Sequence, residues 1–232
     1  MQYINLETIK KEKNLKLKAL KLATLAHNGK YRKNTNVPYI THPIEVVHIL
    51  ERVKANKYLI AAGYLHDVVE ESDFNLEFIE ELFGFRVRQI VEFVTEDISD
   101  KSKKDLDWEE RKEKAIDKIR RLNNNEFPEI DEETKRDIKL LAIADRLANL
   151  TNLLNYFRQI GHQDFSSFRR GVKQQEWYYR NVYFALAENE DENFPLLKDL
   201  EKAINLVFGR TMEDYKESLK ENMKVKKLTI NE

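Results

Sequence analysis

The chain has 232 residues, a length that allows one large domain or two small ones. Its formal net charge of -1 provides no global basic field for nucleic acid, and the absence of cysteine excludes disulfides, thiolate metal sites and cysteine nucleophiles. No segment approaches the roughly 20 apolar residues that span a bilayer, and the first residues lack an apolar run of the signal-peptide type. We therefore expect a cytoplasmic protein that binds neither nucleic acid nor membrane.

Helices are predicted along almost the whole chain, because only 6 glycines and 4 prolines occur and apolar residues recur at helical spacing. The predicted helices cover, in chain order, about residues 6–27, 41–50, 57–69, 75–84, 85–94, 108–122, 131–157, 166–188 and 195–208. Thr41, either Asp73 or Asn75, and Asp131 are predicted N-caps. The sequence indicates no repeat and no strand, so the predicted class is all-α, with about nine helices.

The predicted domain covers residues 1–209, and a charged C-terminal helix or tail that frays covers residues 210–232. Residues 28–38 form a predicted loop, because glycine, asparagines and proline break the helical pattern. Residues 95–107 are polar and charged, and we predict a mobile loop there over one end of the domain.

The doublet His66-Asp67 is the most informative feature, because it lies in the apolar stretch LIAAGYLHDVVEES. Aspartate is almost never fully buried without a partner, and imidazole and carboxylate are common ligands of divalent cations. His42, at the start of a predicted helix, and Asp145, inside LLAIADRLANL, provide a second such pair. This mixed nitrogen and oxygen set suits manganese, iron, zinc or magnesium, and the nitrogen ligands argue against magnesium alone.

Further charged residues surround this set. Glu70 follows Asp67 by three residues and His66 by four, so the three side chains lie near one helical face, and Glu71 follows directly. One of these carboxylates can orient or deprotonate a water that a cation has made more acidic. Arg32-Lys33, ten residues before His42, is suited to clamp a phosphate.

Each of these elements also has a simpler interpretation. His42 can be an ordinary helix-start residue, Asp145 and Arg146 can form an intrahelical charge pair, and Arg32-Lys33 can belong to a solvated loop. Three further histidines are interpreted as structural or surface residues: His27, His48 and His162. The functional interpretation therefore depends on the joint pattern and not on any one residue.

The ordered pattern His42…His66-Asp67…Asp145 on helices resembles the HD-domain superfamily of metal-dependent phosphohydrolases. The closer likeness is to the hydrolase domain of RelA/SpoT-type alarmone enzymes and their stand-alone small relatives. The matching segments are HNGKYRKNTNVPYITHPIEV, AAGYLHDVVEES, FVTEDISDKS, WEERK and IADRLANL, in the expected order. The likeness covers roughly residues 5–188.

The resemblance implies roles for nine residues, as metal ligands (His42, His66, Asp67 and Asp145), as acids that handle the attacking water (Glu70 and Glu71), and as nucleotide contacts (Arg32, Lys33 and Asn149). The implied metal is most often Mn²⁺, although another divalent cation fits. The implied reaction removes the 3′-pyrophosphate of guanosine tetra- or pentaphosphate and yields GDP or GTP. Because the chain ends where the synthetase domain of the long bifunctional relatives begins, synthesis of the alarmone is not expected.

The chain departs from the family pattern at four places. Glu70-Glu71 replaces Glu-Asp, and the loop RKNTNVPY is one residue longer than the usual RKSGEPY, with Asn34 in place of serine. Ala142 and Ala148 replace a lysine and a histidine. These departures leave two alternatives open: a phosphatase acting on the 2′-phosphate of NADPH or on a nucleoside monophosphate, and a non-catalytic module that senses a nucleotide or binds a protein partner.

Overall fold

The structure is a computed structural model that describes residues 4–33, 35–95, 108–166 and 170–229, with side chains described as far as residue 220. Within these ranges the chain is helical, and the all-α prediction is confirmed. Its helices are α1 (Leu6–Lys11), α2 (Leu15–Ala26), α3 (Thr41–Arg52), α4 (Lys57–Leu65), α5 (Val68–Glu71), α6 (Leu76–Phe83), α7 (Phe85–Val94), α8 (Trp108–Asn123), α9 (Glu132–Ile160), α10 (Val172–Ala187), α11 (Leu197–Phe208) and α12 (Met212–Thr229). The described residues pair as extended backbone at a single antiparallel bridge, between Tyr31 and Pro38.

The described ranges hold more helices than predicted, because two predicted helices are broken and the tail forms α12. The first break separates α1 from α2, where Glu12 is extended and the side chain of Asn14 caps α2 by accepting from the amide of Leu17 at 3.0 Å. The second break separates α4 from α5. His66 and Asp67 therefore lie in a turn between two helices and not within one.

Two of the predicted N-caps are present. The side chain of Asn75 accepts from the amide of Phe78 at 2.9 Å, and that of Asp131 accepts from the amide of Thr134 at 2.8 Å. The prediction that Thr41 caps α3 was wrong. Its hydroxyl donates to the carbonyl of Pro38 at 2.9 Å, because the turn before the helix brings that oxygen within reach.

The core lies around α4 and the middle of α9. Every residue of α4 from Leu59 to Leu65 is buried, and this helix packs against α2, α3, α7 and α9. Gly63 lets α3 approach closely, since a Cβ there would lie 3.0 Å from both Leu50 and Val47. This arrangement places the end of α4 beside the start of α3 and the middle of α9.

The C-terminal helices pack on one another and on α9. Met212 and Tyr215 in the first turn of α12 are buried, and the ring of Tyr215 lies 6.4 Å from that of Phe184 on α10. A domain boundary at residue 209 stays a prediction. The predicted loop at residues 95–107 lies outside the described residues except for Thr95. Among the described helices, none has the length and apolar character needed to cross a membrane.

Candidate metal centre

Four polar side chains converge between α3, α9 and the turn that joins α4 to α5. His42 lies in the first turn of α3, His66 and Asp67 form the turn, and Asp145 lies in the middle of α9. Both imidazoles are buried, with 3% and 5% exposure for His42 and His66. The four residues that the resemblance implies to be metal ligands are therefore brought together from three separate segments.

The ligand atoms of this cluster lie close together. Nε2 of His42 is 3.2 Å from Nε2 of His66. Oδ1 of Asp145 lies 3.1 Å from Nε2 of His42 and 3.8 Å from that of His66, and Oδ2 of Asp67 lies 3.5 and 3.3 Å from the same two atoms. One ligand atom each from His42, His66 and Asp145 falls within 4.8 Å of the others.

The chemistry of this donor set fits a divalent metal ion. Nδ1 of His66 lies 2.9 Å from the carbonyl oxygen of Gly63, which can only accept, so Nδ1 carries the proton. Its Nε2 is therefore the ring nitrogen that faces the cluster and that a metal ion would bind in place of a proton. A backbone carbonyl that fixes the tautomer of a histidine is common behind metal-ligating imidazoles. We conclude that His42, His66 and the neighbouring carboxylates can hold a divalent cation.

The electrostatics of the cluster keep its carboxylates ionised. Burial by itself would raise the pKa of Asp67, but the imidazoles of His66 and His42 outweigh burial and lower that pKa to about 2. Burial also opposes ionisation of Asp145, whereas hydrogen bonding to His42 and the charge of Arg146 hold its pKa well below the usual range. The buried cluster is therefore anionic at its oxygen atoms at neutral pH.

A second layer of side chains orients these carboxylates. The hydroxyl of Tyr39 donates to Oδ2 of Asp67 at 2.8 Å, and Nδ2 of Asn149 donates to Oδ1 of Asp145 at 2.9 Å. Nη1 of Arg146 donates to Oδ2 of Asp145 at 3.2 Å, so the intrahelical charge pair is also present. Outer partners of this kind set the direction of ligand atoms.

Sequence reasoning assigned no role to Tyr39 and treated Arg146 as part of a simpler charge pair. Nη2 of Arg146 donates to the hydroxyl of Tyr178 on α10 at 3.0 Å, which links the cluster to the C-terminal helices. Tyr39 lies three residues before His42, and that spacing is the signal that could have found it.

The two predicted catalytic acids lie on α5, directly after the cluster. Glu70 is exposed to solvent, and Glu71 is half-buried. Oε2 of Glu71 lies 3.5 Å from Nζ of Lys30, which is part of the loop that carries Arg32. Both acids therefore lie at the solvent side of the cluster, where water has access to Glu70.

The loop before α3 forms a short hairpin that presents Arg32 to the cluster. The amide of Arg32 donates to the carbonyl of Val37, and that of Tyr39 to the carbonyl of Lys30, both at 2.9 Å. Nη2 of Arg32 donates to Oδ1 of Asn149 at 3.1 Å, so these two predicted nucleotide contacts meet. Lys33 is exposed at the tip of the hairpin, and the predicted departure at Asn34 lies outside the described residues.

The three remaining histidines have different surroundings. His27 is buried with no hydrogen-bond partner for either ring nitrogen, and its ring lies 4.8 Å from that of Tyr39. Burial lowers the pKa of His27 to about 4, which keeps the ring neutral at pH 7. His48 lines a cavity, and His162 is exposed. None of the three is among the residues that form the cluster.

The cavity that His48 lines has a volume of about 550 Å³ and lies between α3, α9 and α11. Glu45, Asn152 and Leu206 are among the residues that line it. Ala148 is also in its wall, so the histidine of the family would project towards this space. Ala142, the other position without the family side chain, is buried in the core.

Comparison with known proteins places these features in context. The HD domain matches residues 19–164 of the chain. The chain is 36% identical over 140 residues to the guanosine-3′,5′-bis(diphosphate) 3′-pyrophosphohydrolase of Homo sapiens, a match that covers 59% of this chain and 68% of that protein. It is 32% identical over 128 residues to the bifunctional (p)ppGpp synthase/hydrolase of Escherichia coli, covering 55% of this chain and 16% of that protein.

Several matched relatives are much longer, and the chain spans only 9%, 8% and 16% of the length of three of them. Two solved structures have a similar fold. One, lmo0812 of Listeria monocytogenes, has a TM-score of 0.59 and 29% identity over 76% of this chain and 99% of that one. The other, a metazoan ortholog of SpoT that hydrolyses ppGpp, has a TM-score of 0.60 and 26% identity over 82% and 96%.

Proposed function

Because this chain belongs to the HD-domain family, we propose that it is a metal-dependent phosphohydrolase that acts on a phosphorylated nucleotide. The proposed substrate is guanosine-3′,5′-bis(diphosphate), which water would split into GDP and pyrophosphate. The buried cluster of two imidazoles and two ionised carboxylates, beside the arginine of an ordered hairpin, carries this proposal. The human relative, whose name states this reaction, supports the choice of substrate.

The proposed metal is Mn²⁺, held by the side chains of His42, His66, Asp67 and Asp145. A divalent cation at such a site neutralises phosphoryl charge and makes water more acidic. Tyr39 and Asn149 hold the carboxylates in the orientation that faces the imidazoles. The expectation of a cytoplasmic location remains a prediction.

The remaining steps use the chain's own side chains. Glu70 accepts a proton from the attacking water, since it is exposed beside Asp67, and Glu71 stays paired with Lys30 and helps orient that water. The guanidinium of Arg32 donates to phosphate oxygens through N–H groups that its contacts with the protein do not use. The leaving 3′-oxygen of the nucleotide takes up a proton as the pyrophosphate departs.

The decisive experiment incubates the purified chain with Mn²⁺ and a panel of nucleotides and identifies the products. We expect pyrophosphate and GDP from guanosine-3′,5′-bis(diphosphate). Orthophosphate from NADPH or from a nucleoside monophosphate would support the alternative phosphatase instead. Tight binding of a nucleotide with no turnover of any member of the panel would support the sensor module and overturn the proposed reaction.

The role of Glu70 can be tested separately. Glu70→Gln removes the proton acceptor and keeps the size of the side chain, so turnover should fall by about two orders of magnitude with Mn²⁺ binding retained. The matched control is Glu77→Gln, because Glu77 is also an exposed acid in the first turn of a helix, on α6. Near-normal turnover of Glu70→Gln would remove Glu70 from the scheme.

A further inference from the structure

Glu45 on α3 connects the hairpin to α9. Its Oε2 accepts from Nη1 of Arg32 at 3.1 Å and from Nδ2 of Asn152 at 2.6 Å. These partners come from two separate segments, 13 residues before Glu45 and 107 residues after it. Glu45 lies three residues after His42, so the two side chains lie on the same face of α3.

The contact with Glu45 completes a continuous series of hydrogen bonds that ends at the metal cluster. Arg32 donates through Nη1 to Glu45 and through Nη2 to Asn149, and Asn149 donates to Asp145. The guanidinium is thus held at both of its terminal nitrogens. Its side chain is only 19% exposed although it belongs to a surface hairpin.

Because both of its terminal nitrogens are held, the side chain of Arg32 has a fixed conformation before substrate binds. A long cationic side chain on a loop loses rotamer freedom when it binds phosphate, and that loss weakens binding. An arginine that is already held by a carboxylate and an amide has lost this freedom in advance. A guanidinium has five N–H donors, so each terminal nitrogen keeps a second N–H for a phosphate oxygen.

We propose that Glu45 is a positioning residue that holds Arg32 at the edge of the metal cluster in the orientation that receives a phosphate group of the substrate. This inference rests on the proposed function, which supplies the phosphate. Glu45 acts through Arg32 and does not itself touch the substrate. Asn152 supports Glu45 from α9 and keeps its carboxylate directed at the hairpin.

The test is a double-mutant cycle on hydrolysis of guanosine-3′,5′-bis(diphosphate) with Mn²⁺. Glu45→Ala should raise KM by about tenfold with little change in kcat, because it removes the advance ordering of Arg32 and leaves the cluster intact. In the Arg32→Ala background, the same Glu45→Ala change should have no further effect on KM. Glu45→Gln keeps a hydrogen-bond acceptor for Nη1 and should restore most of the loss.

The matched control is Glu51→Ala on the same helix. Glu51 pairs with a cation, Lys16, and its side chain is 43% exposed compared with 42% for Glu45, but it lies away from the hairpin. Its removal should leave KM unchanged. An effect of Glu45→Ala that is equally large in the Arg32→Ala background would overturn the inference, because it would show that Glu45 matters only for packing of α3 on α9.

If the proposed function fails, a binding measurement can still test the role of Glu45. If the wild-type chain turns over no nucleotide, the same cycle is measured on binding of inorganic pyrophosphate by calorimetry with Mn²⁺ present. The inference then predicts the same tenfold weakening of the dissociation constant in Glu45→Ala and none in the Arg32→Ala background. Wild-type binding that is insensitive to Glu45→Ala, or no binding of pyrophosphate, would overturn the inference in that case.

Discussion

Two clusters of charged side chains among the described residues differ in how completely the protein supplies partners for them. Near the C-terminus, Arg180 of α10 is fully buried and donates to Glu176 at 2.8 Å, to Asn205 at 3.1 Å and to the carbonyl of Arg210 at 2.8 Å. Arg210 in turn donates to both oxygens of Glu176. Each of these charges meets an opposite charge or a fitted acceptor, as a stable buried ion pair requires.

The cluster at His42 lacks this internal balance. Two imidazole nitrogens face each other at 3.2 Å, two carboxylates point at them, and Nδ1 of His42 is buried with no hydrogen-bond partner. The C-terminal cluster holds α10, α11 and α12 together through groups that belong to the chain itself. The comparison shows that the cluster at His42 differs from a closed ion pair in having nitrogen and oxygen donors that converge on one point, a donor set that suits a cation.

The largest expected effect comes from Asp67→Asn. The change keeps the shape of the side chain but removes a negative charge from the cluster, so Mn²⁺ binding should be lost and turnover should fall by about a thousandfold, equivalent to several kcal/mol. The unfolding free energy without metal should also fall, because the lowered pKa of Asp67 means that its ionised form stabilises the folded state at neutral pH. Calorimetric Mn²⁺ binding and urea unfolding measure these quantities.

The control for this change is Asp199→Asn, at an aspartate that is 51% exposed and lies beside Arg52 on the surface. Its effects on metal binding and turnover should be negligible. Normal Mn²⁺ affinity in Asp67→Asn would contradict the role of Asp67 as a ligand.

Glu176→Ala should lower the stability of the protein without changing its affinity for Mn²⁺. It leaves Arg180 buried without its carboxylate, which should cost about 3 to 5 kcal/mol of unfolding free energy. The folded fraction should keep its affinity for Mn²⁺, because the two clusters are separate. Urea unfolding measures the first quantity, and Glu110→Ala, which breaks the exposed pair with Lys114 on α8, is a control expected to change stability by less than about 1 kcal/mol.

Metal addition should stabilise the wild-type chain by a smaller amount. Saturation at about 100 times the dissociation constant should add about 2.7 kcal/mol to the unfolding free energy, visible as a higher Tm. Glu176→Ala should respond to Mn²⁺ by the same increment, and Asp67→Asn should not respond. Equal responses of Asp67→Asn and the wild type would show that the stabilising ion binds elsewhere.

The smallest effect is the acid sensitivity of the C-terminal cluster. Burial opposes ionisation of Glu176, but hydrogen bonds from Arg210 and Arg180 outweigh it and lower the pKa of the carboxyl below its ordinary value of 4.5. A carboxyl with a lowered pKa contributes stability above pH 4.5 and loses it as the pH falls through the folded-state value. The stability difference between wild type and Glu176→Gln should therefore shrink in urea titrations as the pH falls below 4.5. A stability difference that does not change with pH would show that Glu176 stabilises the protein through packing and not through its charge.

Local signals explain what could be predicted of the fold. The amphipathic spacing and the caps at Asn75 and Asp131 depend on residues within one or two turns, so the all-α class and most helix positions could be predicted. Thr41 was wrong as a cap because its hydroxyl donates to the carbonyl of Pro38, three residues earlier, in a turn that follows the hairpin, and the spacing of apolar residues does not reveal such a turn. The break after Leu65 escaped prediction because the sequence on both sides has helical character.

The sequence by itself determined the helical class and the residue types of the cluster, because burying histidine and aspartate in apolar helices has few physical justifications. Only the tertiary structure decided which residues from other segments contact the side chains in and around the cluster. The contacts of Glu45 with Arg32 and Asn152, and of Arg146 with Tyr178, join residues that are 13 to 107 positions apart. No local pattern encodes such pairs, since they exist only once α3, α9, α10 and the hairpin have packed together.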